Sequence, residues 1–282
     1  FITILFGFND EYNTRDDGII HAQAKKPIKV IEYRYKQKFS DYEQTFYRET
    51  VNKYDSQNNL ISIFENNTSY DNHSSTFKYN NGLIEEKKEF DENGELVNGL
   101  GFLPSVFKYK YDSKNRLISE TGYDQLGEDI GIGNRYKYDS NNKLIEKKSY
   151  YGKRLKRIFH YKYDSKNRLI AEDGYEVEKN GEKSPDDLIE FEYDENNNLI
   201  KVNHTRRERS IRKSFYYYYY NNDNKLIRSE FENREGVIEW EIDFKYNLED
   251  GLLIEEIFHY YGESNYGEKI KYPEYKLVYL YD

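Results

Sequence analysis

Apolar and polar residues alternate with a period of two along many short segments of this chain. In segment 107–111 three aromatic residues alternate with two lysines. In segments 189–193 and 242–246, Ile, Phe and Tyr alternate with two charged residues. Such alternation is typical of an antiparallel β-strand that buries one face. The pattern therefore predicts an all-β protein whose strands have one aromatic face and one charged face.

A short motif follows these strands: Tyr-Asp, two variable residues, Asn, one further residue, then Leu-Ile. The main copies recur with an average period of about 27 residues. The Asp side chain can accept hydrogen bonds from backbone N–H groups ahead of it, and Asn tolerates the left-handed conformation that closes a turn. Each copy is therefore predicted to be a β-hairpin. The Tyr, Asp and Asn positions of the best copies are Tyr54, Asp55, Asn58, Tyr111, Asp112, Asn115, Tyr138, Asp139, Asn142, Tyr163, Asp164, Asn167, Tyr193, Asp194 and Asn197.

One hairpin of this kind is too small to bury its aromatic face, because an isolated two-stranded hairpin is marginally stable in water. We therefore expect consecutive hairpins to stack into an elongated antiparallel sheet or solenoid. Residues 46–282 would form this repeat domain, with about eight copies. Residues 1–45 lack the motif and are expected to form an N-terminal strand or cap.

The copies that begin at Tyr111 and Tyr163 resemble the YD repeat of the Rhs family. Their Tyr, Asp, Arg and Leu match the family's motif, and Asn115 stands where the family has Gly. Most other copies carry Lys or Asn in place of the Arg. The resemblance covers roughly residues 46–282 and implies stacked hairpins. By association it also implies an accessory or immunity role in a polymorphic toxin system.

Composition narrows the class of protein. The 282 residues include 32 Tyr and 16 Phe, 34% are charged, and the net charge is −9. These values predict a folded chain with a thin, aromatic, partly hydrated core. The acidic balance disfavours nucleic-acid binding, which needs clustered cations. With no Cys in the chain, disulfides, thiolate metal sites and thiol nucleophiles are excluded.

The sequence contains no Met, even at position 1. A cleaved secretory signal is the expected cause, and a start that was left out is the alternative. We therefore expect export to the periplasm or cell surface of a bacterium. The apolar run at residues 1–8 is shorter than the roughly 20 residues that span a bilayer, which favours a strand that pairs with a partner. Its candidate protein-binding residues are Phe1, Ile2, Ile4, Leu5, Phe6 and Phe8.

Catalytic motifs are missing from the sequence. The five histidines are scattered without metal-ligand spacing, and no nucleophile or phosphate-binding motif occurs. Segment 194–198 resembles the start of a calcium loop, but the Gly and Glu that such a loop needs are replaced by Leu199 and Thr205. We therefore expect a protein that is not an enzyme and that carries no metal or cofactor.

Two features break the repeat. One is a basic patch in an acidic chain, formed by Arg206, Arg207, Arg209, Arg212 and Lys213. It favours docking to an acidic partner, to lipid headgroups or to an anionic glycan. A hairpin tip with solvated charges is the alternative.

The other feature is a run of five tyrosines at residues 216–220. Strand alternation places Tyr217 and Tyr219 on the face that is charged elsewhere, where exposed aromatic rings favour sugar stacking or protein contact. Trp240 is the only tryptophan and is the third candidate for stacking. Cross-strand packing is the alternative for all three residues.

These patterns together predict a non-catalytic binding or scaffold protein of the bacterial cell envelope. It would dock on a larger protein partner through the surfaces that break the repeat. A glycan-binding module that uses the exposed tyrosines is one alternative. An accessory or immunity protein of a polymorphic toxin system is the other.

Overall fold

A computed structural model describes residues 26–38, 41–68, 71–97, 104–207, 211–263 and 269–281. It contains eighteen β-strands, and among the described residues no helix is long and apolar enough to cross a membrane. The strands are β1 (Lys29–Lys38), β2 (Asp41–Tyr54), β3 (Leu60–Asn67), β4 (His73–Asn80), β5 (Leu83–Phe90), β6 (Val106–Tyr111), β7 (Leu117–Tyr123), β8 (Asp129–Tyr138), β9 (Leu144–Tyr151), β10 (Arg154–Tyr163), β11 (Leu169–Val177), β12 (Lys183–Tyr193), β13 (Leu199–Arg206), β14 (Arg212–Tyr220), β15 (Leu226–Glu232), β16 (Ile238–Tyr246), β17 (Leu253–Glu263) and β18 (Lys269–Leu280).

Every strand pairs with its neighbours in sequence, and the first strand also pairs with the last. Lys29 lies opposite Val51 of β2 on one side and opposite Leu280 of β18 on the other. The sheet is therefore closed into an antiparallel barrel of 18 strands. The predicted all-β class is confirmed, but the predicted elongated sheet or solenoid is wrong. The hairpins join edge to edge through backbone hydrogen bonds, and closure pairs the two edges that an open sheet would expose.

The two ends of the barrel differ in their turns. The motif turns follow the even-numbered strands β2 to β16 and lie at one end, which we call the motif end. The chain also enters and leaves the barrel there, since the Ile28 N–H donates to the Leu280 carbonyl at 2.9 Å. Connections after the odd-numbered strands lie at the opposite end, which we call the loop end. Segment 29–38, from the predicted N-terminal cap, is the strand β1 that closes the barrel.

Each motif turn is held by its Asp side chain. Asp164 Oδ1 accepts hydrogen bonds from the backbone N–H groups of Lys166 and Arg168, both at 2.9 Å. Asn167 has a φ of 67° and donates its N–H to the Asp164 carbonyl at 3.1 Å. The predicted left-handed conformation is confirmed, with φ between 57° and 68°, at Asn58, Asn115, Asn142, Asn167, Asn197 and Asn224.

The tyrosine of each motif connects its turn to the preceding one. The Tyr138 hydroxyl donates to the Leu117 carbonyl at 2.8 Å, and the Tyr163 hydroxyl donates to the Leu144 carbonyl at 3.0 Å. This contact explains why the motif uses Tyr rather than Phe, since the ring packs while the hydroxyl binds a backbone group. The same hydroxyl-to-carbonyl hydrogen bond is made by Tyr54, Tyr79, Tyr111, Tyr138, Tyr163, Tyr193, Tyr220, Tyr246 and Tyr281.

The cation of the motif connects its turn to the following one. Arg116 donates from Nε to Asp112 Oδ2 at 2.7 Å within its own turn. Its guanidinium also lies 4.7 Å from the ring centroid of Tyr138 and donates to Asn142 Oδ1 at 3.0 Å. Such a cation over an aromatic ring is electrostatically favourable. The same contact with the next motif tyrosine is made by Lys143, Arg168 and Lys225, so the turns that carry a cation are linked to the turns on both sides.

The aromatic face of the strands is the inner face of the barrel. Burial raises the pKa of Tyr109, Tyr136 and Tyr161, which lie on this face of alternate strands. On the same strand as Tyr109, Lys108 and Lys110 are exposed on the outer face. The structure thus has the aromatic interior and the charged exterior that the period-two pattern predicts.

The interior has an apolar sector and a polar sector. Fully buried inner residues such as Ile189, Val202 and Phe258 come from strands between β12 and β17. On β7 and β8, by contrast, Glu120 accepts hydrogen bonds from Asn134 Nδ2 at 2.9 Å and from the Tyr136 hydroxyl at 3.2 Å. Polar groups in this sector therefore satisfy one another instead of packing as an apolar core.

The left-handed turn position can be tested at Asn142. We expect Asn142→Ala to lower the free energy of unfolding by about 1 kcal/mol, because a Cβ without a compensating side-chain dipole is disfavoured at positive φ. Asn142→Gly should cost less, because Gly94 has a φ of 76° at the corresponding position of a turn. Urea unfolding monitored by tyrosine fluorescence measures both. Equal losses from the two variants would contradict the conformational argument.

The hydroxyl contact between turns can be tested at Tyr220, which donates to the Leu199 carbonyl at 2.9 Å. Tyr220→Phe should lower the free energy of unfolding by about 1 kcal/mol, because a half-buried carbonyl loses its donor. Tyr151, which is 46% exposed, provides the control. Tyr151→Phe should change stability by less than half as much, and the opposite ranking in thermal unfolding would reject the role of the hydroxyl.

Candidate functional site

The loop end carries a cleft of about 590 Å³ between strands β13 to β16. Its volume is within the range of small-ligand sites, about 300 to 1,000 Å³. We call it the loop-end cleft. It is lined by His204, Arg206, Arg212, Lys213, Ser214, Tyr216, Phe231, Asn233, Arg234, Glu235 and Glu239.

Two aromatic rings form the floor of the loop-end cleft. Tyr216 and Phe231 are cross-strand partners, with ring centroids 5.0 Å apart and ring planes tilted by 51°. Phe231 stacks in turn on Trp240 at 5.3 Å, and Trp240 contacts Phe258, which is fully buried. The floor is therefore the exposed end of a row of rings that continues into the core, which holds Tyr216 and Phe231 in place.

A buried acid–base network supports one wall of the cleft. His204 Nε2 lies 3.0 Å from Asp187 Oδ1, and the Arg157 guanidinium lies 2.9 Å from Asp187 Oδ2. Burial raises the pKa of Asp187, but the hydrogen bond with His204 and the charges of Arg157 and Arg206 outweigh it, so the pKa is below its ordinary value. The carboxylate is thus ionised, and Arg206 Nε at the mouth of the cleft lies 3.8 Å from its Oδ1, so Asp187 offsets part of the charge of Arg206.

Cations predominate at the mouth of the cleft. Arg206, Arg212 and Lys213 are exposed on the ends of β13 and β14. Arg234 and Glu235 form an ion pair with each other. Positive charge is concentrated here although the whole chain has a net charge of −9.

The structure divides the basic patch predicted from the sequence. Arg206, Arg212 and Lys213 line the loop-end cleft, whereas Arg207 is not a lining residue and forms an ion pair with Asp173. Arg207 donates to Asp173 Oδ1 at 2.7 Å and to the Asp187 carbonyl at 3.0 Å, so it holds neighbouring strands together. Arg209 lies outside the described residues, as do Phe1, Ile2, Ile4, Leu5, Phe6 and Phe8 of the apolar run.

The tyrosine run is divided between the two faces of β14. Tyr217 and Tyr219 lie on the outer face, where the Tyr219 hydroxyl donates to Glu230 at 2.8 Å. Burial and the adjacent Glu230 carboxylate raise the pKa of Tyr219 to about 12. Trp240 is 6% exposed and lies on the inner face. The structure therefore does not bring these three stacking candidates together on one platform.

Sequence reasoning missed Phe231 and His204 as lining residues. Each belongs to an ordinary strand, and neither carries a motif. Strand pairing decides their placement, since Phe231 lies opposite Tyr216, and His204 lies opposite Ser214. A cross-strand alignment of the hairpins around 216–220 was the one signal that could have identified them.

A second polar cluster lies on the outer face of β16 and β17. Glu241, Asp243 and His259 offer potential metal-ligand atoms within 4.8 Å of one another, and Glu241 is 2% exposed. Burial and the charge of Lys271 lower the pKa of His259, which keeps its imidazole neutral. However, the Lys271 ammonium contacts Glu241 and lies 3.4 Å from Asp243. Arg228 Nε also lies 3.0 Å from Asp243 Oδ1, so two cations of the chain itself offset these two carboxylates.

No protein-family model and no curated protein matches this chain. Among solved structures, a porin-like protein from Bacteroides uniformis has a TM-score of 0.45 and 11% identity, over 91% of this chain and 96% of that one. A porin-like protein from Bacteroides vulgatus has a TM-score of 0.31 and 11% identity, over 92% of this chain and 99% of that one. A TcdB2-TccC3-TEV structure has a TM-score of 0.37 and 11% identity, over 86% of this chain but 15% of that one. At these values the likenesses identify no family.

The network beneath the cleft makes a pH-dependent prediction. Because the pKa of Asp187 is lowered in the folded state, its contribution to stability is present above about pH 4 and is lost as the pH falls through the folded pKa. Asp187→Asn should therefore lower the free energy of unfolding by about 3 kcal/mol at neutral pH. Its difference from the native protein should shrink in acid.

Urea denaturation across the acid range measures this difference, with Glu192→Gln as the control. Glu192 lies on the outer face, and its side chain is 59% exposed, so its removal should have little effect at any pH. A loss in Asp187→Asn that is independent of pH would contradict the electrostatic explanation.

Proposed function

We propose that this protein is a non-catalytic binding or scaffold protein of the bacterial cell envelope that docks on a larger protein partner through its loop end. The observation that carries the proposal is the difference between the two ends of the barrel. The motif end is occupied by repeated turns that bind one another. The loop end presents an open cleft with an aromatic floor and a cationic mouth.

The contacts and exposure of the side chains also differ between the motif end and the loop end. At the motif end, side chains such as Tyr138 and Arg116 are engaged with neighbouring turns. At the loop end, Arg212 and Lys213 are exposed beside the cleft, and so is the apolar side chain of Ile211, at 74%. Exposed cations beside exposed apolar groups favour association with an acidic macromolecule.

The outer wall supports a location in an aqueous compartment of the envelope. Lys108, Lys110, Glu190 and Glu192 are exposed on this wall. Charged side chains at such positions favour contact with water over contact with hydrocarbon. The relationship to the YD repeat family remains part of this proposal, and it rests on the motif residues alone.

Site-specific photo-crosslinking in cells that naturally express the protein tests the docking end. A photoreactive residue would replace Arg212 at the loop end or, as the matched control, Asn141, which is exposed in a turn at the motif end. We expect one protein adduct from position 212 in the envelope fraction and none from position 141.

Adducts from position 141 alone would show that the partner docks on the motif end and not on the loop end. Recovery of the protein only in the cytosolic fraction, without any adduct, would reject both the envelope location and the docking role. Charge reversal of Lys213 in the protein that carries the photoreactive residue at position 212 should slow formation of the adduct several-fold, because exposed charges at an interface act mainly on the association rate.

A further inference from the structure

We infer that the loop-end cleft binds an acidic polypeptide segment that packs an aromatic side chain against Tyr216 and Phe231. The acidic residues of the segment would pair with Arg206, Arg212 and Lys213 at the mouth. This inference names the chemistry of the partner and rests on the proposed function for the partner's biological role. Binding of such a segment is measurable on its own.

The floor of the cleft selects for an aromatic anchor. Tyr216 and Phe231 both line the cleft, with ring centroids 5.0 Å apart and ring planes tilted by 51°. A third ring that packs against this pair can contact one ring edge-to-face and the other with an offset stack, the two arrangements that aromatic pairs prefer. Trp240 lies behind Phe231 at 5.3 Å and restricts its movement. The aromatic floor is therefore in place before any ligand arrives.

The mouth selects for negative charge on the same ligand. Arg206 and Arg212 come from the two strands of one hairpin and are directly opposite in the register, and Lys213 follows on the second strand. The cleft is lined by four cationic side chains and two carboxylates, Glu235 and Glu239, so the net charge of its lining is positive even though Glu235 pairs with Arg234 and Arg206 pairs with Asp187. A segment with carboxylates on both sides of its aromatic residue matches this arrangement.

The surroundings favour a polypeptide over an acidic glycan. Ile211 is 74% exposed, and Val237 is 45% exposed, next to the cleft residues of β14 and of the turn before β16. Apolar groups on both flanks extend the contact surface beyond the cleft, as an extended peptide with apolar side chains requires.

Isothermal titration calorimetry with short capped peptides tests the inference on the intact protein. The probe is acetyl-Glu-Asp-Phe-Glu-Asp-amide, and two comparison peptides replace Phe by Ala or all four acids by their amides. We expect measurable binding of the probe and at least tenfold weaker binding of each comparison peptide. Affinity for the probe should also fall with added salt, because the ion pairs are exposed.

Variants of the protein locate the binding site. Arg212→Gln with Lys213→Gln should weaken binding of the probe at least tenfold, and so should Phe231→Leu, which retains an apolar side chain in the core. The matched control is Lys108→Gln with Lys110→Gln, which removes the same charge from exposed positions on the outer wall. It should leave the affinity unchanged. Thermal unfolding of each variant separates lost binding from lost folding.

Each other outcome overturns the inference. Equal binding of the amide peptide removes the acidic requirement, and equal binding of the Ala peptide removes the aromatic anchor. Tighter binding of oligogalacturonate than of the probe assigns the cleft to acidic glycans. Absence of binding to the probe, combined with a crosslinked adduct at position 212, rejects this ligand but leaves the proposed docking function standing.

Discussion

The structure depends on the pairing of its first strand with its last. β1 bonds to β2 and β18 at the same time, so that no strand edge of the sheet is left open. An open sheet of this length would present two rows of unpaired backbone groups and would invite association with other chains. Closure also separates the inner face from the outer face, whereas the antiparallel order of consecutive strands places all motif turns at one end. The interior and the circular arrangement of contacts at the motif end follow from these two features.

The motif end shows how a short sequence repeat stabilises a long closed sheet. Asp holds each turn from within, the Tyr hydroxyl reaches back to the preceding turn, and the cation reaches forward to the next ring. None of these contacts is strong alone, since a net hydrogen bond contributes about 1 kcal/mol. Their repetition around the barrel fixes the relative position of adjacent hairpins. The connections at the loop end lack the full motif, and the loop-end cleft lies among them.

The interior explains the unusual share of tyrosine in the composition. Phe258 and Ile189 are packed in an apolar sector, whereas in a polar sector the Tyr136 hydroxyl donates a hydrogen bond to Glu120. Buried polar groups need partners, and tyrosine supplies both apolar area and a hydroxyl. At the loop end the apolar sector reaches the surface as Tyr216 and Phe231. The cleft is thus the place where the aromatic core meets the cationic ends of β13 and β14.

The amino-acid sequence by itself determined the strands, the turns and the orientation of the aromatic residues. These features are local: the Asp164 turn is closed by hydrogen bonds within five residues, and period-two alternation decides which face is buried. Closure was not predictable, because Lys29 meets Leu280 across nearly the whole chain and the same hairpins are equally compatible with an open sheet. The cleft was only partly predictable. Arg206 and Arg212 were visible as charge, but Phe231 and His204 are brought to them by strand register, which only the tertiary structure decides.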